Sequence, residues 1–290
     1  MINRIINVEV STICYAKCAM CPNDQIKDKG YMSLELAKII ANKINNLPNV
    51  REISIAGRGE PTLHPKLIDF FKIFSGIRPL SLVTTGTHIN DEIIEGCQKY
   101  VDILRLSISS VSKESFLKVH TNLNYEKVWG NIKELIKRLD RDKIVIHLIG
   151  GEVIYPTVKE TVSFFRSRGV NNIKIFPLWN RGGTMEQNSE RKIREKLIEE
   201  LNIGSLEEDY WPEKIVRKCG SNNRYCPIGD SSLSINFKGE VVGCFQDFLY
   251  KTKIGNVMTD DLLALIKKRQ RILGNMFICG ECNSYSEIIN

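Results

Sequence analysis

Cys14, Cys18 and Cys21 stand in the run Cys14-Tyr15-Ala16-Lys17-Cys18-Ala19-Met20-Cys21, a CxxxCxxC directly after a short strand-like stretch. Three thiolates on one tight loop can each bind a separate iron of a 4Fe–4S cube, leaving the fourth iron without a protein ligand. A metal centre with an open coordination place is a reactive centre. Zinc is the alternative, but a structural zinc usually takes four protein ligands from paired CxxC units.

Two further motifs lie downstream in the same kind of position. Gly57-Arg58-Gly59-Glu60-Pro61 follows the second strand-like run, and Thr84-Thr85-Gly86-Thr87 ends the third. In this order and spacing the three motifs resemble the signatures of the radical S-adenosylmethionine (SAM) superfamily, over roughly the first 180 residues. The resemblance implies that the open iron binds the amino and carboxylate groups of the cofactor's methionine moiety. Glu60 is then the acceptor for the cofactor ammonium, and Gly57 and Gly59 allow close backbone approach. Thr85 and Ser107, at adjacent strand ends, are candidates to bond the cofactor carboxylate or ribose, against an equal reading as turn or core hydroxyls. Met20 stands where the family often has an aromatic residue. His120 stands where relatives often have an arginine, and is read as a neutral surface histidine.

The elements that must position these residues alternate. Strand-like runs fall at 5–10, 52–56, 80–84, 103–109, 144–149 and 173–177, with amphipathic stretches at 34–44, 67–74, 92–97, 125–139 and 158–168 between them. Six βα units in series imply parallel strands with right-handed crossovers. Six are too few to close an eight-stranded barrel, so the expectation is an α/β fold, a partial (β/α)6 barrel with its chemistry at the C-terminal strand ends. A charged helical stretch at 188–201 and a polar piece at 202–223 follow, and a boundary is placed near 215: residues 1–215 as the barrel and 216–290 as a small C-terminal α+β domain.

That C-terminal part contains Cys226, Cys244, Cys279 and Cys282 around a hairpin pattern turning at Lys238-Gly239 and a helix pattern at 262–271. Four cysteines including a CxxC suit zinc and an iron–sulfur cluster equally well. The arrangement resembles the twitch domain, the short form of the SPASM domain, which implies one auxiliary 4Fe–4S cluster held by these four. Of the two cysteines left over, Cys97 reads as a small buried hydrophobe and Cys219 as a non-ligand.

Asn180-Arg181-Gly182-Gly183 follows the sixth strand and faces the same mouth. It resembles a motif of the twitch-bearing 2-deoxy-scyllo-inosamine dehydrogenases, in which the arginine approaches the substrate hydroxyl. Arg181 is therefore a candidate to bond a polar substrate; a glycine-rich turn with a solvated arginine is the other reading. The expected activity is oxidation of a small sugar, polyol or aminocyclitol by hydrogen abstraction, with an electron passed to the auxiliary cluster. The alternatives are a peptide maturase forming a thioether, crosslink or epimer, and a non-catalytic metal-binding protein. A reductant such as flavodoxin or ferredoxin is implied as a partner.

Composition sets outer bounds. Nine cysteines without a signal-peptide pattern favour metal ligation over disulfides, and a reducing, cytoplasmic location is expected. No apolar run is long enough to span a bilayer. The net charge of +7 is spread along the chain; its one dense run, Lys267-Lys268-Arg269-Gln270-Arg271, reads as a solvated helix face and not as a nucleic-acid surface.

Overall fold

The computed structural model describes residues 4–181, 184, 191–205, 217–219, 224–226 and 231–282. Seven parallel strands run in sequence order: β1 (Arg4–Val8), β2 (Val50–Ile55), β3 (Leu80–Thr84), β4 (Ile103–Ile108), β5 (Ile144–Leu148), β6 (Ile173–Ile175) and a two-residue β7 (Gly204–Ser205). The crossovers carry α1 (Leu34–Asn45), α2 (Leu67–Phe74), α3 (Asp91–Tyr100), α4 (Lys113–Val119), α5 (Tyr125–Arg138), α6 (Val158–Arg166) and α7 (Arg191–Leu201). The partial barrel of the sequence reading is present, with β7 and α4 as additions. Both are short, and neither leaves enough of a periodic pattern to stand out from its flanks.

Side chains alternate across a strand, and here the alternation separates two environments. Ile6 and Val8, Ile53 and Ile55, Leu104 and Leu106 point one way and are completely or almost completely buried, in the same apolar core as the helix residues Ile40, Phe70, Phe71 and Ile132. The intervening residues are polar. Asn7 pairs in register with Ser54, Ser54 with Ser81, and Ser107 with His147. The interior of the barrel is thus hydrophilic, and its packed core lies outside the sheet. In the N-terminal half of the strands Arg105 makes a bidentate pair with Glu52, at 2.5 and 2.9 Å, and Ser81 donates to the same carboxylate at 2.5 Å. This buried group plugs the floor; the C-terminal ends stay open.

Helix starts follow side-chain capping. Ser33, Asn90 and Asn124 each accept from a backbone N–H three residues on, satisfying a donor the first helical turn leaves unpaired.

The C-terminal strands continue the same sheet. β10 (Ser232–Ile235) pairs in parallel with β1, and β11 (Glu240–Val242) and β12 (Lys253–Asn256) add antiparallel beyond it, giving ten strands in the order β12-β11-β10-β1-β2-β3-β4-β5-β6-β7. The expected turn at Lys238-Gly239 is present. Gly239 has φ +80°, and Asn236 Oδ1 accepts from the Lys238 and Glu240 backbone. A separate pair, β8 (Arg217–Cys219) and β9 (Arg224–Cys226), precedes them, and α8 (Leu262–Ile272) and α9 (Phe277–Glu281) follow. No helix among the described residues is long and apolar enough to cross a membrane.

Candidate iron–sulfur and cofactor site

The chain leaving β1 turns across the open end of the barrel and places Cys14, Cys18 and Cys21 on the wall of one cavity of about 240 Å³. The Gly57–Glu60 loop, Thr85 and Ser107 line the same cavity, so every residue the first three motifs singled out is brought together. Asn23 links the loops by donating to the carbonyls of Thr12, at 3.1 Å, and Arg58, at 2.6 Å. The Glu60 N–H donates to Ile13 O at 2.9 Å.

Burial raises all three thiols. Cys14 is pushed up to about 11 by burial, then by the Glu60 charge. Cys18 is raised by burial and by its two neighbouring cysteines, and Cys21 by burial, with Arg181 opposing. Without metal these thiols stay protonated; a bound metal deprotonates them. No three thiol, imidazole or carboxylate groups among the described residues converge closely enough to hold a single ion. Three cysteines on one cavity wall, each able to take a separate iron, fit a cube with one open iron.

Glu60 is 3% exposed and accepts five hydrogen bonds. Thr62 N–H, Thr62 Oγ1 and Thr84 Oγ1 donate to Oε1 at 3.1, 2.7 and 2.6 Å. Thr85 N–H and Oγ1 donate to Oε2 at 2.9 and 2.7 Å. Thr62, Thr84 and Thr85 therefore fix the carboxylate's direction, and Thr85 faces Glu60 directly. Beside Gly57 a Cβ would meet Glu9 Cγ at 2.4 Å, and beside Gly59 it would meet Ser11 O at 2.4 Å. These glycines let the loop lie flat on the chain leaving β1.

Several participants were not singled out in the sequence. Glu9, 2% exposed, accepts from Arg58 N–H at 2.7 Å, from Arg58 Nη1 at 3.3 Å and from Tyr250 Oη at 2.5 Å. Arg58 Nη2 donates to Asp247 O at 2.7 Å, and its guanidinium lies 4.4 Å from the Tyr250 ring centre. The loop after Cys244 is thereby fastened over the mouth. A carboxylate set between Val8 and Val10 in an apolar strand was the available signal for Glu9; Arg58 stands inside the Gly57–Pro61 motif, which gives no sign of its partners in the C-terminal part. His120 corrects the sequence reading. It is buried, at 2% exposure, and its Nδ1 lies 3.0 Å from Cys18 Sγ. The short α4 turns back on the cysteine loop, which a surface assignment could not include.

Arg181 stands in the cavity wall with a left-handed backbone, φ +52°. Its guanidinium donates to Gln246 Oε1 at 3.4 Å and lies 5.0 Å from the Phe248 ring centre. Burial lowers its pKa and the nearby Cys21 opposes that shift. Asn180 donates to Glu281 O, inside the Cys279–Cys282 turn. Gly182 and Gly183 lie outside the described residues. In the second cysteine set, Cys244 and Cys279 pack with Leu273, Met276 and Ile278. The side chains of Cys226 and Cys219 lie outside the described residues. Cys97 is buried in α3 as expected.

An α/β partial barrel with three cysteines at its open end and a cysteine-bearing C-terminal extension is the class this geometry defines. The family model described as the radical SAM superfamily matches residues 8–165, and that described as an iron–sulfur cluster-binding domain, SPASM, matches 226–283. The chain belongs to the radical SAM superfamily, whose members use a 4Fe–4S cluster and SAM, and the SPASM match adds auxiliary iron–sulfur binding. A tungsten-containing aldehyde ferredoxin oxidoreductase cofactor-modifying protein of Pyrococcus furiosus is 25% identical over 182 residues, covering 59% of this chain and 51% of that protein. The chain thus spans about half the length of that relative. SuiB of Streptococcus suis, solved with its precursor peptide SuiA, superposes with a TM-score of 0.71 at 16% identity, over 91% of this chain and 64% of that one. BtrN, solved with AdoMet and 2-DOIA, superposes with a TM-score of 0.59 at 18% identity, over 98% and 94%. At these identities the two structures share the fold.

Proposed function

We propose that this protein is a radical SAM oxidoreductase acting on a small polar substrate, a sugar, polyol or aminocyclitol. The observation that carries the reading is the place of the Asn180-Arg181 pair. Arg181 shares a cavity wall with Cys21 and donates to Gln246, two residues after Cys244, while Asn180 donates to Glu281 O between Cys279 and Cys282. A substrate oxygen bound at Arg181 would lie between the two cysteine sets. The end-to-end fold match with BtrN supports the same reading.

In this proposal Cys14, Cys18 and Cys21 hold the first cluster, and Cys226, Cys244, Cys279 and Cys282 the auxiliary one, in domains divided near residue 215. Glu60, directed by its five donors, takes the cofactor ammonium; Gly57, Gly59, Thr85 and Ser107 complete the cofactor wall. When bound, the reduced first cluster and SAM supply a 5′-deoxyadenosyl radical. With that chemistry supplied, the carbinol carbon would give up a hydrogen atom and the hydroxyl its proton to bulk solvent, and Cys226, Cys244, Cys279 and Cys282 would hold the group able to accept the remaining electron, so that C–O becomes C=O. Arg181 orients the substrate oxygen, and the loop fastened by Arg58 and Tyr250 excludes water from the reacting carbon. An external flavodoxin or ferredoxin serves as reductant.

The test is the double variant Cys279→Ala/Cys282→Ala, incubated with carbon-deuterated polyols and aminocyclitols. Wild type should carry deuterium into 5′-deoxyadenosine and release ketone; the variant should still form 5′-deoxyadenosine but no ketone. Full ketone yield from the folded variant defeats the electron-acceptor role. The fold match with peptide-bound SuiB favours a second reading, a peptide maturase. Deuterium arriving from labelled peptides and never from polyols would select it.

A further inference from the structure

The segment after α4 is a bracket on the cysteine loop. Ala19 N–H donates to Val119 O at 2.9 Å, and Lys17 N–H donates to Asn122 Oδ1 at 2.6 Å. Thr121 Oγ1 donates to Lys17 O at 2.7 Å, and Asn122 Nδ2 donates to Tyr15 O. His120 sits at the centre, in a one-residue β-bridge with Cys18. Its ring packs on Phe116 with centroids 4.7 Å apart. Its Nδ1 faces Cys18 Sγ at 3.0 Å, and its buried Nε2 has no hydrogen-bond partner among the described residues.

Of the three cysteine sulfurs, Cys18 Sγ has a side-chain ring nitrogen within hydrogen-bond distance, His120 Nδ1 at 3.0 Å. An iron-bound thiolate can only accept. The tautomer with its proton on Nε2 would set a lone pair against the thiolate and bury an unpartnered N–H beside Phe116. The Nδ1–H tautomer satisfies the thiolate and leaves a bare ring nitrogen, the lesser cost.

We propose that His120 donates its Nδ1 proton to the Cys18 sulfur of the first cluster, making that cluster easier to reduce. Hydrogen bonds to cluster sulfurs draw off negative charge and favour the more negative, reduced state. His120 is a positioning residue that acts through Cys18. The inference rests on the reading of Cys14, Cys18 and Cys21 as ligands, which a triple alanine variant tests separately by iron content.

The experiment is an anaerobic redox titration of the reconstituted protein followed by electron paramagnetic resonance, the first cluster being identified by its spectral response to added SAM. His120→Leu should keep its iron and move that midpoint to more negative potential. His120→Asn, which keeps an N–H near Nδ1, should recover part of the shift. Asn122→Ala, which loosens the bracket but keeps the donor, should leave the midpoint in place. A wild-type midpoint in fully loaded His120→Leu overturns the proposal, as does an equal shift in Asn122→Ala. If His120→Leu loads no iron, wild-type protein carrying 15N-histidine decides. Its reduced first cluster should show a histidine nitrogen coupling, and the absence of that coupling overturns the proposal.

Discussion

Replacing Arg58 by methionine keeps the stem and removes the guanidinium from a site where Arg58 and Glu9 are 6% and 2% exposed. Removing one partner of a buried ion pair costs about 3–5 kcal/mol, because the other charge stays behind. Glu9 would keep the Arg58 N–H and the Tyr250 hydroxyl, which places the loss near the lower end. Asp247 O would lose its donor, adding about 1 kcal/mol. The contact with the Tyr250 ring adds roughly 0.5–1 kcal/mol more, partly offset by the methionine sulfur against the same ring. The expected total is about 4 kcal/mol. Urea unfolding of the cluster-free chain, followed by tryptophan fluorescence, should then show the midpoint fall by roughly 1–2 M. Adding Glu9→Gln removes the stranded charge, so the double variant should be more stable than the sum of the single losses by about 2 kcal/mol. A single-variant shift under about 0.3 M, or additivity within about 0.5 kcal/mol, would refute the reasoning, and with it the view that this pair fastens the post-Cys244 loop to the barrel.

Three further outcomes follow from the geometry. Glu60→Gln sets an amide N–H₂ against one group of the five donors, so stability should fall by roughly 1–3 kcal/mol together with SAM affinity; a weakened affinity at unchanged melting temperature would instead isolate a direct cofactor contact. Gly59→Ala pushes a Cβ into the Ser11 backbone, where a flexible side chain cannot yield, and should cost about 1–3 kcal/mol; a wild-type unfolding midpoint would contradict the packing. His64 has its pKa lowered from 6.5, by burial first, with Nε2 near Met32 O and Nδ1 accepting from Lys66 N–H. Below about pH 6.5 the unfolded chain therefore binds a proton that the folded chain resists, and stability falls as pH falls towards the folded value. His64→Gln should flatten the urea midpoint between about pH 7.5 and 5.5 relative to wild type; parallel profiles would remove the histidine from the account.

What the sequence disclosed depends on how far apart the partners are. Cys14, Cys18 and Cys21 are close in the chain, and their spacing alone carries the chemistry. Gly57–Glu60 and Thr84–Thr87 were legible because each ends a strand, and parallel strands deliver such ends to one rim. Glu9 and Tyr250 are 241 residues apart, and Arg58 and Asp247 are 189. Neither pair has a local signature, since each partner is an ordinary residue until the fold places it. His120 shows the same limit at 102 residues from Cys18. α4 was too short for its period to register, so nothing in the pattern turned the chain back towards the cysteines.

The pairing of β10 with β1 explains why these distant residues meet. A C-terminal unit joined only by a linker could approach the barrel mouth at many angles. Here Ile5 to Val8 are in register with Ser232 to Ile235, so the hairpin direction is set by β1, the strand that also launches the cysteine loop. Gly243 N–H donates to Thr252 O at 2.8 Å, and the Asp247 carboxylate accepts from Thr252 N–H and Oγ1, which closes the 244–252 loop on itself. One strand therefore positions both cysteine-bearing loops, one from its own C-terminal end and one through its neighbour. Arg58 and Arg181 meet the second loop around Phe248, 5.6 and 5.0 Å from its ring centre. The polar inner face of the barrel lies below, with Asn7, Ser107 and Ser234 on the cavity wall. A fold that put its apolar side chains inside would bring the same motifs to the rim over a surface unable to hold a charged cofactor. The outward core is thus as much a part of the site as the cysteines.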